Sequence, residues 1–310
     1  MEKIEILRIE SLSRAPLVVE GYLFKGSDVK APKVAIVGAM EGDSILPLYC
    51  ASTMVDFFKN KIDKKNIKGD VLIIPSINHY ALNIGKRFWP LDNTDLNMMF
   101  PGYELGETTQ RIAKKVFDAI SSYDYGIILE RRPDPATCLP YIKLYKSGYE
   151  DLKSAKKFGF KMIHHRTMKS IDTVTLQYNW QLWGTKAFSI MCPSDTQVDK
   201  KTASQINQAM IRFMDKKKIL NYHIFNGYES TVIDRSSIDV VKSAKSGIFI
   251  SKELPGNYVS KDQVIGEIVH SLEGNVIHQF LAPCNGMITC FYSNSLIYEH
   301  AVAFRIAKIG

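Results

Sequence analysis

Two acids, Glu41 and Glu130, each close an apolar segment of this chain. Glu41 follows Val34-Ala35-Ile36-Val37-Gly38-Ala39-Met40 and leads into Gly42-Asp43-Ser44, while Glu130 follows Tyr125-Gly126-Ile127-Ile128-Leu129 and leads into Arg131-Arg132. Short apolar runs of this kind read as buried strands, so both carboxylates are expected at strand ends, where sheets of parallel strands gather their sites. Carboxylates there can move a proton in general acid–base catalysis, or hold a hard cation through oxygen ligands. Arg87, Arg131 and Arg132 are the basic residues that could neutralise them instead.

The elements that must position these groups alternate over the first two-thirds of the chain. Strand-like residues 33–37, 71–74 and 126–129 are interleaved with helix-like residues 48–60 and 108–121. A helix over 150–158, strands over 161–165 and 187–192, and an amphipathic helix over 200–214 follow. Alternating β and α units predict a mostly parallel or mixed sheet flanked by helices, an α/β fold. After about residue 222 the texture changes to short β-rich stretches, 246–251, 263–270, 276–282, 287–291 and 302–307, punctuated by Gly256-Asn257, Glu273-Gly274-Asn275 and Asn285-Gly286. The expected organisation is an α/β domain over 1–222 and a small β-barrel or sandwich module over 223–310. Parts of that module, among them Gly247-Ile248-Phe249 and Ala282-Pro283-Cys284-Asn285-Gly286, resemble halves of a biotinyl/lipoyl-type sandwich. No lysine occupies the hairpin that would carry a cofactor there, so the module reads as structural.

The most specific run is Pro75-Ser76-Ile77-Asn78-His79-Tyr80-Ala81-Leu82-Asn83-Ile84-Gly85-Lys86-Arg87-Phe88-Trp89-Pro90, followed by Asp92, Asp95-Leu96-Asn97 and Phe100-Pro101-Gly102. In these segments the chain resembles the succinylglutamate desuccinylase/aspartoacylase family, a branch of the zinc carboxypeptidase clan. The resemblance implies a zinc-carboxypeptidase-like α/β domain, descent from amidohydrolases of N-acyl amino acids or related amides, and a small-molecule ligand. It also implies that Glu41 and Glu130 lie within a few ångströms of each other.

In that family zinc is held by a His and a Glu from one strand-end turn and a His from another, and a later Glu acts as general base on the metal-bound water, which the open coordination position and lowered water pKa require. Matched residue by residue, these four positions hold Glu41, Ser44, Glu130 and Met191. Arg87 and Asn97 match substrate-binding residues, whereas Met98 replaces an arginine, and a thioether cannot supply a guanidinium's bidentate bonds to a carboxylate. Zinc is therefore not expected, and no other cofactor is implied. Another divalent cation, such as magnesium, calcium or manganese, could still be held by Glu41, Asp43 and Glu130. The alternatives are a metal-free pocket neutralised by arginine, metal-independent acid–base chemistry by the two glutamates, and a non-catalytic pseudoenzyme with a binding or regulatory role.

His79, beside Asn78 in the expected pocket loop, joins Arg87, Asn97 and Arg131 as a candidate substrate-binding residue. Of His164 and His165 only one could face a site, since adjacent strand residues point to opposite faces. Cys138 and Cys192 fall near the expected pocket without a histidine partner, and Tyr178, Trp180 and Trp183 read as core. The five cysteines show no CxxC spacing and no even framework. A formal charge of +8 is scattered over short lysine groups rather than gathered in a stripe, so no nucleic-acid partner is expected. The amino terminus lacks a signal-peptide pattern and no apolar run approaches the roughly 18 residues of a membrane span. A cytoplasmic protein without a membrane partner is expected, with self-association left open.

Overall fold

The computed structural model describes residues 1–13, 15–193 and 198–308. Its centre is a nine-stranded mixed sheet of β1 (Glu2–Ile9), β2 (Leu17–Phe24), β3 (Val34–Ala39), β4 (Val71–Ser76), β5 (Tyr125–Arg131), β7 (Tyr141–Lys146), β8 (Met162–Thr167), β9 (Lys186–Cys192) and β10 (Thr231–Ile233), in the order β1-β2-β4-β3-β5-β9-β7-β8-β10. The run β4-β3-β5-β9 is parallel, and β7 turns antiparallel to β9. All six residues of β3 are buried, as expected for a central strand covered on both faces.

Helices α1 (Ile45–Asp56) and α6 (Lys200–Lys216) cover one face. Leu46, Met54, Met210 and Phe213 pack there with Ile36, Ile127 and Phe188. Across the sheet, α3 (Thr108–Ile120) and α5 (Leu176–Leu182) bury Ile112, Val116, Leu176 and Trp180. Trp180 lies so close to β5 that a side chain on Gly126 would meet its ring at 2.5 Å, so this contact requires glycine. The two remaining helices, α2 (His79–Asn83) and α4 (Leu152–Ala155), are short.

The carboxy-terminal module pairs β11 (Ile238–Lys242), β13 (Tyr258–Val259), β16 (Gly286–Tyr292) and β18 (Val302–Lys308) in one sheet. Strands β12 (Gly247–Ser251), β14 (Val264–Val269), β15 (Val276–Leu281) and β17 (Leu296–Ile297) form a second sheet. Phe249, Ile265, Phe280 and Phe304 fill the space between them. The two parts of the chain interlock. β6 (Ala136–Cys138) pairs with β16 of the module, and β10, which lies beyond residue 222, adds to β8 of the large sheet.

Several elements differ from the sequence expectation for identifiable reasons. Helix α1 starts ahead of Pro47 because proline is tolerated in a helix's first turn. The helix expected over 150–158 shortens to α4 and a 3₁₀ turn that ends at Gly159, φ +71°. The amino-terminal hairpin, β7 and α5 were not expected at all. Among the described residues no helix is long and apolar enough to cross a membrane.

Candidate functional site

A polar cavity of about 230 Å³ opens at the carboxyl ends of β3, β5 and β9. Glu41 reaches it from the turn after β3. A side chain on Gly42 would lie 2.1 Å from the Ala81 backbone, so only glycine lets this turn sit against α2, and the Gly42 amide donates to the Arg87 carbonyl at 3.1 Å. Asn78 fastens α2 to the same turn, since its side-chain amide donates to the Met40 carbonyl at 3.3 Å. Arg87 is thereby held opposite Glu41, donating from Nε at 3.1 Å and Nη2 at 2.8 Å to the same Oε1.

Glu130 is the penultimate residue of β5, level with Met191 of β9. It accepts from Lys143 Nζ and from Ser189 Oγ, each at 2.5 Å. The register explains both contacts: β7 runs antiparallel to β9 with Lys143 opposite Ser189. Lys143 and Tyr145, two apart on β7, share a face. The Tyr145 ring stands between two cations, with Arg166 at 4.7 Å and Lys143 at 5.2 Å from its centroid. Asp43 meets Arg131 at 3.2 Å. The three acids proposed as oxygen ligands, Glu41, Asp43 and Glu130, thus each have their own cation. Among the described residues no group of three or more His, Cys, Asp or Glu is placed to hold a metal ion.

Burial pushes the Glu41 carboxyl up to about 7 against the opposing pull of Arg87, with Asp95 and Asp43 adding to the rise. Asp95 is likewise raised, chiefly by burial. Burial also acts to lower the Lys143 ammonium, but Glu130 and Tyr145 outweigh it and the net direction is up. Glu41 therefore changes charge near neutrality, as a proton-transfer group must.

Of the residues singled out from the sequence, Glu41, Glu130, Arg87, Asn97 and Arg131 line this one cavity, together with Ser44, Met98 and Met191. Asn97 does so with its Oδ1 accepting from the Leu176 amide at 3.2 Å, so part of its polar capacity holds α5 in place. His79, the first residue of α2 after its cap Asn78, does not line it. Arg132, a candidate neutraliser of the glutamates, pairs with Asp134 at 2.8 Å, and Arg131 turns to Asp43. His165 bonds Glu150 at 2.9 Å, while His164 faces a different cavity. Cys192 is fully buried and its thiol is pushed well up by desolvation, which removes nucleophilic character.

Sequence reading missed Lys143, Tyr145, Arg166 and Asp172, all of which line the cavity, and gave Asp95 no role beyond its place in the motif. The alternation of Ile142 and Leu144 with Lys143 and Tyr145 was the available sign of a half-buried strand.

Residues 30–129 match the family described as the succinylglutamate desuccinylase/aspartoacylase catalytic domain. An 84-residue segment is 30% identical to N-alpha-acetyl-L-2,4-diaminobutyric acid deacetylase of Halomonas elongata. That segment spans 27% of this chain and only 23% of the deacetylase. A succinylglutamate desuccinylase/aspartoacylase structure from Rhodobacter sphaeroides superposes with a TM-score of 0.73 at 14% identity, covering 96% of this chain and 90% of that one. The product-bound ectoine utilization protein EutE (DoeB) of Ruegeria pomeroyi does so with a TM-score of 0.73 at 15% identity, over 99% and 95%. At such identities the likeness to the solved structures is one of fold.

Proposed function

We propose that this chain, whose residues 30–129 match the succinylglutamate desuccinylase/aspartoacylase catalytic-domain family, is a divergent, zinc-independent member that binds a small amide or amino-acid-like ligand between Glu41 and Glu130. The observation that carries this reading is the set of ion pairs at the strand ends. Where the family resemblance calls for imidazole and carboxylate ligands, Glu41 is held by Arg87, Asp43 by Arg131, and Glu130 by Lys143 and Ser189. Two neutralised carboxylates with the Ser44 hydroxyl do not fit zinc, which takes neutral imidazole, thiolate or free carboxylate donors. Met191, at the general-base position, cannot accept a proton. Each of these acids already faces a cation of the chain, which competes with a hard ion for its oxygens.

Paired charges of both signs around one cavity suit a ligand that is itself zwitterionic or carries an amide dipole. Glu41, titrating near 7, is the group that would exchange a proton with it. Arg87 and Lys143 orient the two carboxylates, and Met40, Met98, Leu129 and Met191 supply the apolar wall.

Metal analysis of protein purified without added metal tests the first half of this reading, and stoichiometric zinc would sink it. The second half is tested by calorimetric titration with N-acetylated amino acids, including N-alpha-acetyl-2,4-diaminobutyrate, in the presence of a chelator. Binding that survives chelation and is lost in Glu41→Gln is expected. If such ligands bind but product never forms, the non-catalytic binding role takes the place of a reaction.

A further inference from the structure

Beneath the carboxy-terminal module lies a second cavity, of about 470 Å³, that meets the first along Pro133, Lys143, Arg166 and Met191. Its charge is one-sided. Arg132, Lys143, Arg166, Lys169, Arg235 and Arg305 line it, against one lining carboxylate, Asp134. Asp134 is shared by Arg132 at 2.8 Å and Arg305 at 3.5 Å. Lys143 and Arg166 lean on Glu130 and Asp172 at the other cavity. Lys169 and Arg235 have no acid partner among the described residues.

Two polar atoms on these lining residues are also left over. Arg132 Nε and His164 Nε2 are buried without a hydrogen-bond partner among the described residues. Buried groups of this kind are uncommon in folded proteins and call for a partner from outside the chain, such as a water or a bound ion. His164 is kept neutral, held down to about 4 by burial and by Arg166 and Arg132. The volume is that of a site for a small organic ligand.

We propose that this cavity is an oxyanion site that receives a phosphate-bearing group, with Arg235 and Lys169 as its free cations and Arg132 and Arg305 as its inner wall. Guanidinium groups present planar donor forks that match phosphate oxygens. Pairing removes one charge each from Lys143, Arg166 and the Arg132–Arg305 set, so the surplus left is multiple, which favours a dianion over a single carboxylate. This site does not depend on any reaction at Glu41, because its free cations lie outside the acid–cation pairs.

The test is calorimetric titration of the full-length chain at pH 7 and fixed ionic strength with inorganic pyrophosphate, and separately with succinate. Pyrophosphate is expected to bind one per chain. Arg235→Ala and Lys169→Ala, both at exposed positions that tolerate replacement, are each expected to weaken it about tenfold or more, and Glu41→Gln is expected to leave it unchanged. In the wild type, pyrophosphate should also raise the pKa of the His164 imidazole seen by NMR. Absence of pyrophosphate binding, equal affinity in the Arg235→Ala variant, or tighter binding of succinate would overturn the proposal. Loss of pyrophosphate binding in Glu41→Gln would place the anion in the first cavity and overturn it as well.

Discussion

The cavity at the strand ends and the cavity beneath the carboxy-terminal module share a wall at Lys143, Arg166 and Met191, yet their charges are organised in opposite ways. In the first, Glu41 and Glu130 each have a cation of the chain's own, so the site is balanced before any ligand arrives. In the second, cations outnumber acids, and two buried polar atoms of its lining residues have no partner among the described residues. Charge paired inside the protein needs no external counter-ion, whereas unpaired charge in a cavity costs stability until a counter-ion arrives. The same strands therefore build one site whose acids are paired with cations of the chain and one whose cations are in excess.

This contrast is most strongly tested at the shared wall. Lys143→Met would leave Glu130 charged and unpaired among side chains about a tenth exposed, and a loss of roughly 3–5 kcal/mol in urea unfolding is expected. Adding Glu130→Gln should return much of that loss, and a double variant no more stable than Lys143→Met would break the description of the pair as mutually neutralising.

The next effect separates the cavities by the sign of their pH dependence. Glu41 is held near 7 against an ordinary 4.5, so the folded chain keeps a proton that the unfolded chain releases. The resulting stability is present below about pH 4.5 and is lost as pH rises through 7. His164 is held near 4 against 6.5, so the unfolded chain takes its proton first, and that stability is present above pH 6.5 and is lost as pH falls through 4. Each window corresponds to at most about 3 kcal/mol. Unfolding free energies between pH 4 and 8 should show the wild type losing ground to Glu41→Gln as pH rises, and to His164→Asn as pH falls. Parallel slopes in the two variants would remove the distinction.

Smaller still, Asn97→Ala removes the acceptor for the Leu176 amide. It should cost about 1–2 kcal/mol in thermal unfolding, with both cavities keeping their charges. The smallest stability change is expected for Arg235→Ala, within about 0.5 kcal/mol because the residue is exposed and unpaired. Any larger loss would mean that Arg235 is held by the protein rather than free for an anion.

Much of the fold was legible from local patterns. The runs at Val34–Ala39 and Tyr125–Arg131 are short and rich in β-branched residues, which reads as buried strand, and the spacing of Ile206, Met210 and Phe213 places one helix face in the core. The shift to short strands with glycine turns marked the β module for the same reason. β7 was overlooked because Lys143, which reads as a surface residue, is buried only through its pairing with Glu130 on another strand. The gathering of Glu41, Glu130, Arg87, Asn97 and Arg131 followed from the resemblance, but the choice of cation for each acid did not.

What the sequence by itself determined is the set of acids at the ends of β3 and β5, and that neither strand-end turn carries a histidine. Those facts depend on residue type and on periodicities of two and 3.6, which any short window contains. Only the tertiary structure decided that Lys143, and not Arg131 or Arg132, neutralises Glu130, because that pairing follows from the order β5-β9-β7 and the register that sets Lys143 beside Ser189. It alone also decided that Arg132, Arg166, Arg235 and Arg305, scattered along the chain, face one cavity, since packing of the module against the sheet is a long-range event that no local pattern encodes.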